Sequence, residues 1–125
     1  MNVSETREKA KVQKCRADLT QIRTQIELKR NQTDKLLSQI TGSACSACAC
    51  WDATPPNNIS GENCFNKMTT TFQRIGFPAL LKDPWGDPYL IDENEGELYN
   101  GTTCRRDSIR TYNSKCDLSI PTFSC

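Results

Sequence analysis

A chain of 125 residues with 36% hydrophobic and 25% charged side chains has room for one domain with a modest core. Its formal net charge of +1 excludes a bulk electrostatic pull toward nucleic acid or anionic membrane. Eight cysteines and no histidine remove imidazole-based catalysis and mixed Cys/His zinc sites.

A cysteine-only zinc site would show two close pairs. Here Cys45 and Cys48 make one pair, with Cys50 beside it, while Cys104 and Cys116 stand far apart. The even count and dispersed spacing of Cys15, Cys45, Cys48, Cys50, Cys64, Cys104, Cys116 and Cys125 read as a disulfide framework formed in an oxidising compartment. The spacing leaves its connectivity open. The first nine residues hold no apolar run, and no stretch reaches the ~18 apolar residues of a membrane span. An export segment is therefore expected upstream of Met1.

From about Ser4 to Ile40 the chain reads as one helix, with Val12, Cys15, Leu19, Ile22, Ile26, Leu36 and Ile40 on a narrow stripe. Lys29 and Thr33 interrupt that stripe, and Gly42 follows as a C-cap. Roughly 37 residues at ~1.5 Å each predict a rod of about 55 Å, longer than a domain of this size is wide. Its N-terminal half is expected to project. The stripe fits a helix packed on its own head, a stalk between subunits, or a coiled coil; Lys29 and Thr33 weigh against the last.

After Gly42 the chemistry changes to turns. Residues 43–62 hold Cys45, Cys48, Cys50, Pro55, Pro56, Asn57, Asn58 and Gly61, a loop suited to stapling. Phe65 to Ile75 predicts a short helix with Phe65, Met68, Phe72 and Ile75 on one face and Gly76 as its stop. Pro88–Asp92 and Glu97–Tyr99 predict a hairpin turning near Gly96, and Ser108–Tyr112 predicts a further strand. The expected fold is α+β: a long N-terminal amphipathic helix on a small antiparallel sheet, rich in disulfides. It is organised as one domain over residues 1–125: helix and stalk at 1–41, stapled loop and short helix at 42–82, sheet and C-terminal disulfide region at 83–125.

The most specific string is Asp83-Pro84-Trp85-Gly86-Asp87-Pro88-Tyr89. Each proline fixes its own φ and biases the preceding residue toward extended backbone. Gly86 permits a sharp turn after a bulky ring, and Asp83 and Asp87 can each accept backbone N–H groups. Physically this is a rigid corner, with Trp85 beneath it, feeding the first strand.

This corner resembles the Asp-Pro-Trp-Gly-Asn-Pro-Tyr signature of the major pseudopilins of type II secretion and of related type IV pilins. Arg16-Ala-Asp-Leu-Thr-Gln-Ile-Arg-Thr-Gln-Ile-Glu27 is similar to the amphipathic second half of the pilin helix. The resemblance runs from about Glu8 to Tyr112. It implies a structural, non-enzymatic filament subunit, preceded by an apolar helix that anchors it in the inner membrane and later forms the filament core. The implied setting is an extracellular or periplasm-spanning filament of like subunits. The pilin side of the family also implies a terminal disulfide, here Cys104 with Cys116, and Cys125 tied to an upstream cysteine. Cys15 would pair within the head, pair with another subunit, or remain a buried thiol.

Calcium-binding pseudopilins close with an acidic loop. The matching stretch, Asp107 to Asp117, carries Arg110 and Lys115, so no cofactor is expected and calcium is disfavoured. The acidic run Asp92, Glu93, Asn94, Glu95 and Glu97 reads as a solvated turn rather than a weak cation site. Arg105, Arg106, Arg110 and Lys115 read as a solvated basic face, with DNA capture as the functional alternative. Sequons at Asn2, Asn31, Asn58 and Asn100 support a different class, a secreted or cell-surface binding module with a helical stalk. A thiol redox protein using Cys45-Ser-Ala-Cys48 is a third reading, without the βαβ setting such a motif keeps.

Overall fold

The structure is a computed structural model that describes residues 2–51, 62–93, 98–99, 103–104, 107–112 and 116–120. Helix α1 spans Val3–Thr33, 31 residues, about 46 Å at ~1.5 Å per residue. Asn2 caps it, accepting the Glu5 N–H at 2.9 Å. Residues 2–11 are exposed, and burial begins at Val12 and Cys15. The exposed lead is therefore under three turns, not half of the helix.

The expected single helix to Ile40 breaks at Asp34. This residue adopts φ 54°, ψ 37°, and its N–H returns to the Arg30 carbonyl at 2.8 Å. Asn31-Gln32-Thr33-Asp34 ends in weak helix formers, and aspartate tolerates the left-handed region better than most residues. The chain restarts as α2, Leu37–Thr41, with Gln39 Oε1 accepting the Leu36 N–H at 2.9 Å. The break buries Leu37 in place of Leu36 and leaves Ile40 packed at the core margin. Gly42, at φ 76°, closes α2.

Two further helices follow, α3 at Cys48–Trp51 and α4 at Glu62–Ile75. The expected face of α4 is correct: Met68, Phe72 and Ile75 are fully buried and Phe65 packs against them. Gly76, at φ 112°, ends it. The Gln25 side-chain amide donates to the Ile75 carbonyl at 3.0 Å, so α1 itself satisfies the end of α4.

The strands are β1 Leu90–Asp92, β2 Leu98–Tyr99, β3 Thr103–Cys104, β4 Asp107–Arg110 and β5 Asp117–Ile120. β1, β4 and β5 form an antiparallel sheet in that order, with Ile91 opposite Ile109 and Ile109 opposite Leu118. β2 and β3 form a separate pair. The hairpin expected between the Pro88–Asp92 and Glu97–Tyr99 segments is therefore wrong: β1 takes β4 as its partner, and β2 takes β3. Gly96, its expected turn, lies outside the described residues. Strand β5 was not foreseen.

Helix α1 packs on β4, β5, α2 and α4, while α4 packs on α2, α3 and β1. The core between them is built from Leu19, Ile22, Ile26, Phe72, Leu90, Ile91 and Ile109 with their neighbours. The stripe of α1 continues past Ile26 through Arg30. This residue is only 3% exposed and pairs with the fully buried Asp107 of β4 at 3.8 Å. The gap read at Lys29 is thus bridged by a buried ion pair. The same pair commits Asp107, one of the doubtful calcium ligands, to a cation of the chain itself.

Candidate functional site: the tryptophan corner on the long helix

The corner is held by its own backbone before anything packs on it. Lys82 and Pro88 form an antiparallel bridge. Asp83 N–H donates to the Asp87 carbonyl at 2.7 Å, and Tyr89 N–H to the Leu81 carbonyl at 3.0 Å. The Asp83 carboxylate accepts the Trp85 N–H at 2.9 Å and the Asp87 N–H at 3.0 Å. One aspartate thus organises the turn from inside. Burial pushes the Asp83 carboxyl above its ordinary value, opposed by these N–H groups. Gly86 sits at φ 93° with no heavy atom within 4 Å of where a Cβ would be, so backbone conformation alone selects glycine there.

Helix α1 then clasps the corner at two points. Trp85 is half-buried against the core, and its indole N–H points to the Glu8 carboxylate, 3.2 and 3.4 Å from the two oxygens. Tyr89 is fully buried, and its hydroxyl donates to Asp18 at 2.6 Å. Lys14, one turn earlier, meets the other Asp18 oxygen at 2.6 Å. Burial first, then the Asp18 carboxylate, pushes the Tyr89 phenol far above its ordinary range, so it stays a neutral O–H donor to Asp18. Pro84 lines a groove of about 360 Å³ with Lys14, Asp18, Gln21, Leu81 and Lys82. Pro88 is buried, Asp87 half-buried and Gly86 exposed.

The cysteines define a second constellation. Cys15 bonds Cys116, Cys45 bonds Cys48, and Cys50 bonds Cys64. The expected Cys104–Cys116 bridge is therefore overturned, because Cys15 on the inward stripe of α1 faces the residue that leads into β5. That also settles Cys15 as an intramolecular partner of the head. The Cys104 side chain and Cys125 lie outside the described residues, as do residues 94–97 of the acidic run, Arg105, Arg106, Lys115, Asn58 and Asn100. Arg110 is half-buried and donates to the Ser108 hydroxyl at 3.0 Å. Among the described residues, no three carboxylates or thiols converge as a metal-holding group, and no helix is long and apolar enough to cross a membrane.

Glu93 is the residue that sequence reasoning misplaced. It was expected in a solvated acidic turn, yet it is fully buried. Its Oε1 accepts the Ser46 N–H at 2.8 Å, and its Oε2 accepts the Ser46 hydroxyl at 2.7 Å and the Thr41 hydroxyl. Thr71 of α4 donates to the Ser46 hydroxyl at 2.8 Å, and Ala47 N–H to the Ile91 carbonyl at 2.9 Å. Burial raises the Glu93 carboxyl above its ordinary value, while the surrounding hydroxyls and N–H pull it back. One carboxylate thereby joins α2, the 43–48 loop and the end of β1, and reaches α4 through Ser46. The only sequence signal was its position two residues after Ile91, on the same side of an extended chain. Comparison of the chain with family models, with curated proteins and with solved structures found no match.

Proposed function

We propose that this chain is the head region of a structural subunit of a type IV pilus-like filament, a pilin or pseudopilin, with no catalytic role. The observation that carries the reading is the Asp83–Tyr89 corner clasped to one long helix, with Trp85 reaching Glu8 and Tyr89 reaching Asp18. The role is mechanical. An apolar helix preceding this region anchors the subunit in the inner membrane and later bundles in the filament centre. The exposed first turns of α1 carry the head out from that bundle, and heads pack side by side on the filament surface. Bonds such as Cys15–Cys116 hold the head folded outside the cell, where no chaperone can rescue it. DNA uptake, adhesion, motility and secretion are all uses to which such a filament is put.

The test is the native gene. Codons upstream of Met1 are expected to encode a short basic leader and an apolar helix of ~20 residues. Antibody to this chain should then decorate filaments on the producing cell in electron micrographs. A cleavable signal peptide ending just before Met1, with no filament labelling, rejects the proposal. That result would favour a secreted binding module with a helical stalk, a reading supported by the exposed Asn31 sequon on α1.

A further inference from the structure

The three described disulfides differ in what surrounds them. Cys15 and Cys50 are 0% exposed, Cys64 is 1% and Cys116 is 8%, so two bonds are sealed in the core. Cys45 and Cys48 are both half-buried, making theirs the described bond that solvent reaches from both ends. The bonds also differ in span: 101 residues for Cys15–Cys116, 14 for Cys50–Cys64 and 3 for Cys45–Cys48. A bond closing so small a loop restrains the open chain least, so opening it costs the least order.

The residues between these two cysteines are held by contacts that do not depend on sulfur. Ser46 gives its N–H and its hydroxyl to Glu93 and takes a hydrogen bond from Thr71. Ala47 is tied to the Ile91 carbonyl. With Cα atoms 5.4 Å apart on a loop pinned at its middle, the two sulfurs stay neighbours when the bond between them is open. The loop can lose and regain the bond without leaving the head.

We infer that Cys45–Cys48 is a reversible thiol-exchange site, opened by a dithiol reductant on the folded chain while Cys15–Cys116 and Cys50–Cys64 stay closed. A thiolate of the reductant attacks one of the two sulfurs, the Cys45–Cys48 bond breaks, and the other sulfur leaves as thiolate and takes a proton. The second thiol of the reductant, on losing its proton, closes on the mixed disulfide and releases the first sulfur. Two electrons pass to the protein, which gains two thiols, and the reductant ends as a disulfide. The site does not depend on the filament reading.

The experiment is a dithiothreitol titration of the oxidised full chain, quenched with a thiol alkylator and mapped by peptide mass. Near-UV circular dichroism is recorded on the same samples. Cys45 and Cys48 are expected to label at least about tenfold faster than Cys15, Cys50, Cys64 and Cys116, with the near-UV signal kept, because thiol exchange follows access. Removing the reductant and adding oxidised glutathione should restore the Cys45–Cys48 bond on the folded chain. Labelling at Cys104 and Cys125 is read separately. The proposal is overturned if Cys45 and Cys48 open only together with the sealed bonds, or only as the near-UV signal disappears. A Cys45→Ser/Cys48→Ser variant guards against misreading: it should keep the native near-UV signal, and its four sealed cysteines should still label more slowly than Cys45 and Cys48 do in the parent. If those four open in it as readily as Cys45 and Cys48 do in the parent, the bond is a structural staple and the inference fails.

Discussion

Tyr89 and Asp18 meet at 2.6 Å across a fully buried interface, joining the strand side of the corner to the middle of the long helix. The donor is a neutral phenol and the acceptor a carboxylate that also holds Lys14. A hydrogen bond to a charged group contributes about 1.5–3 kcal/mol. Tyr89→Phe removes the donor and keeps the ring. It is expected to lower the unfolding free energy by about that much in urea titrations. A double-mutant cycle with Asp18→Asn should then recover a coupling of similar sign between the two positions.

Gly86 stands at φ 93° with open space around its α-carbon. A methyl group there clashes with nothing but the residue's own backbone. Gly86→Ala is expected to cost about 1–2 kcal/mol, the steric penalty of the left-handed region for an L-residue. Denaturant midpoints of the two proteins measure it. An unchanged midpoint would show that the corner tolerates a different backbone geometry.

Glu93 should leave a signature in the pH dependence of stability. Its folded pKa is raised above the ordinary value of 4.5, chiefly by burial. The folded chain therefore holds this proton more tightly than the unfolded chain does. Its contribution is fully present below the ordinary value and is lost as pH rises through the raised folded value. Glu93→Gln keeps the shape and removes the titration. The unfolding free energy of the parent should fall across that window, and the glutamine variant should follow a flatter curve. Parallel curves would disprove a linked proton at Glu93.

The disulfides should rank by the loop each closes. In the chain-entropy picture, removing Cys15–Cys116 costs about 4–5 kcal/mol, Cys50–Cys64 about 3 and Cys45–Cys48 about 2. Paired serine variants, compared by thermal and denaturant unfolding, are expected to fall in that order. An inverted order would mean that packing at the sulfurs outweighs the loop term.

Much of this architecture is legible in the sequence. Heptad-like steps from Cys15 to Ile26 gave the helix and its inward face, because four apolar residues on one stripe have few other solutions. Phe65, Met68, Phe72 and Ile75 gave the second long helix for the same reason. The corner was readable because proline and glycine act through their own backbone, without help from distant residues. Apart from the local break of the helix at Asp34, what failed was long-range. The stripe reads as interrupted at Lys29 and Thr33, since the buried guanidinium of Arg30 is recognised only once Asp107 is known to face it. Glu93 looked like surface because its acceptor role depends on Thr41 and Ser46, about fifty positions away. The β1–β4 pairing and the Cys15–Cys116 bond likewise join residues whose proximity no local pattern encodes.

The bond from Cys15 to Cys116 has a mechanical consequence. A tug along α1 from its exposed first turns meets the Glu8–Trp85 hydrogen bond first and then, at Cys15, passes into the segment before β5 through sulfur. The buried apolar contacts of Leu19, Ile22 and Ile26 lie beyond that junction and are spared the shear. The helix can therefore bear load along its axis without sliding out of its seat, which dispersion contacts alone would resist only weakly.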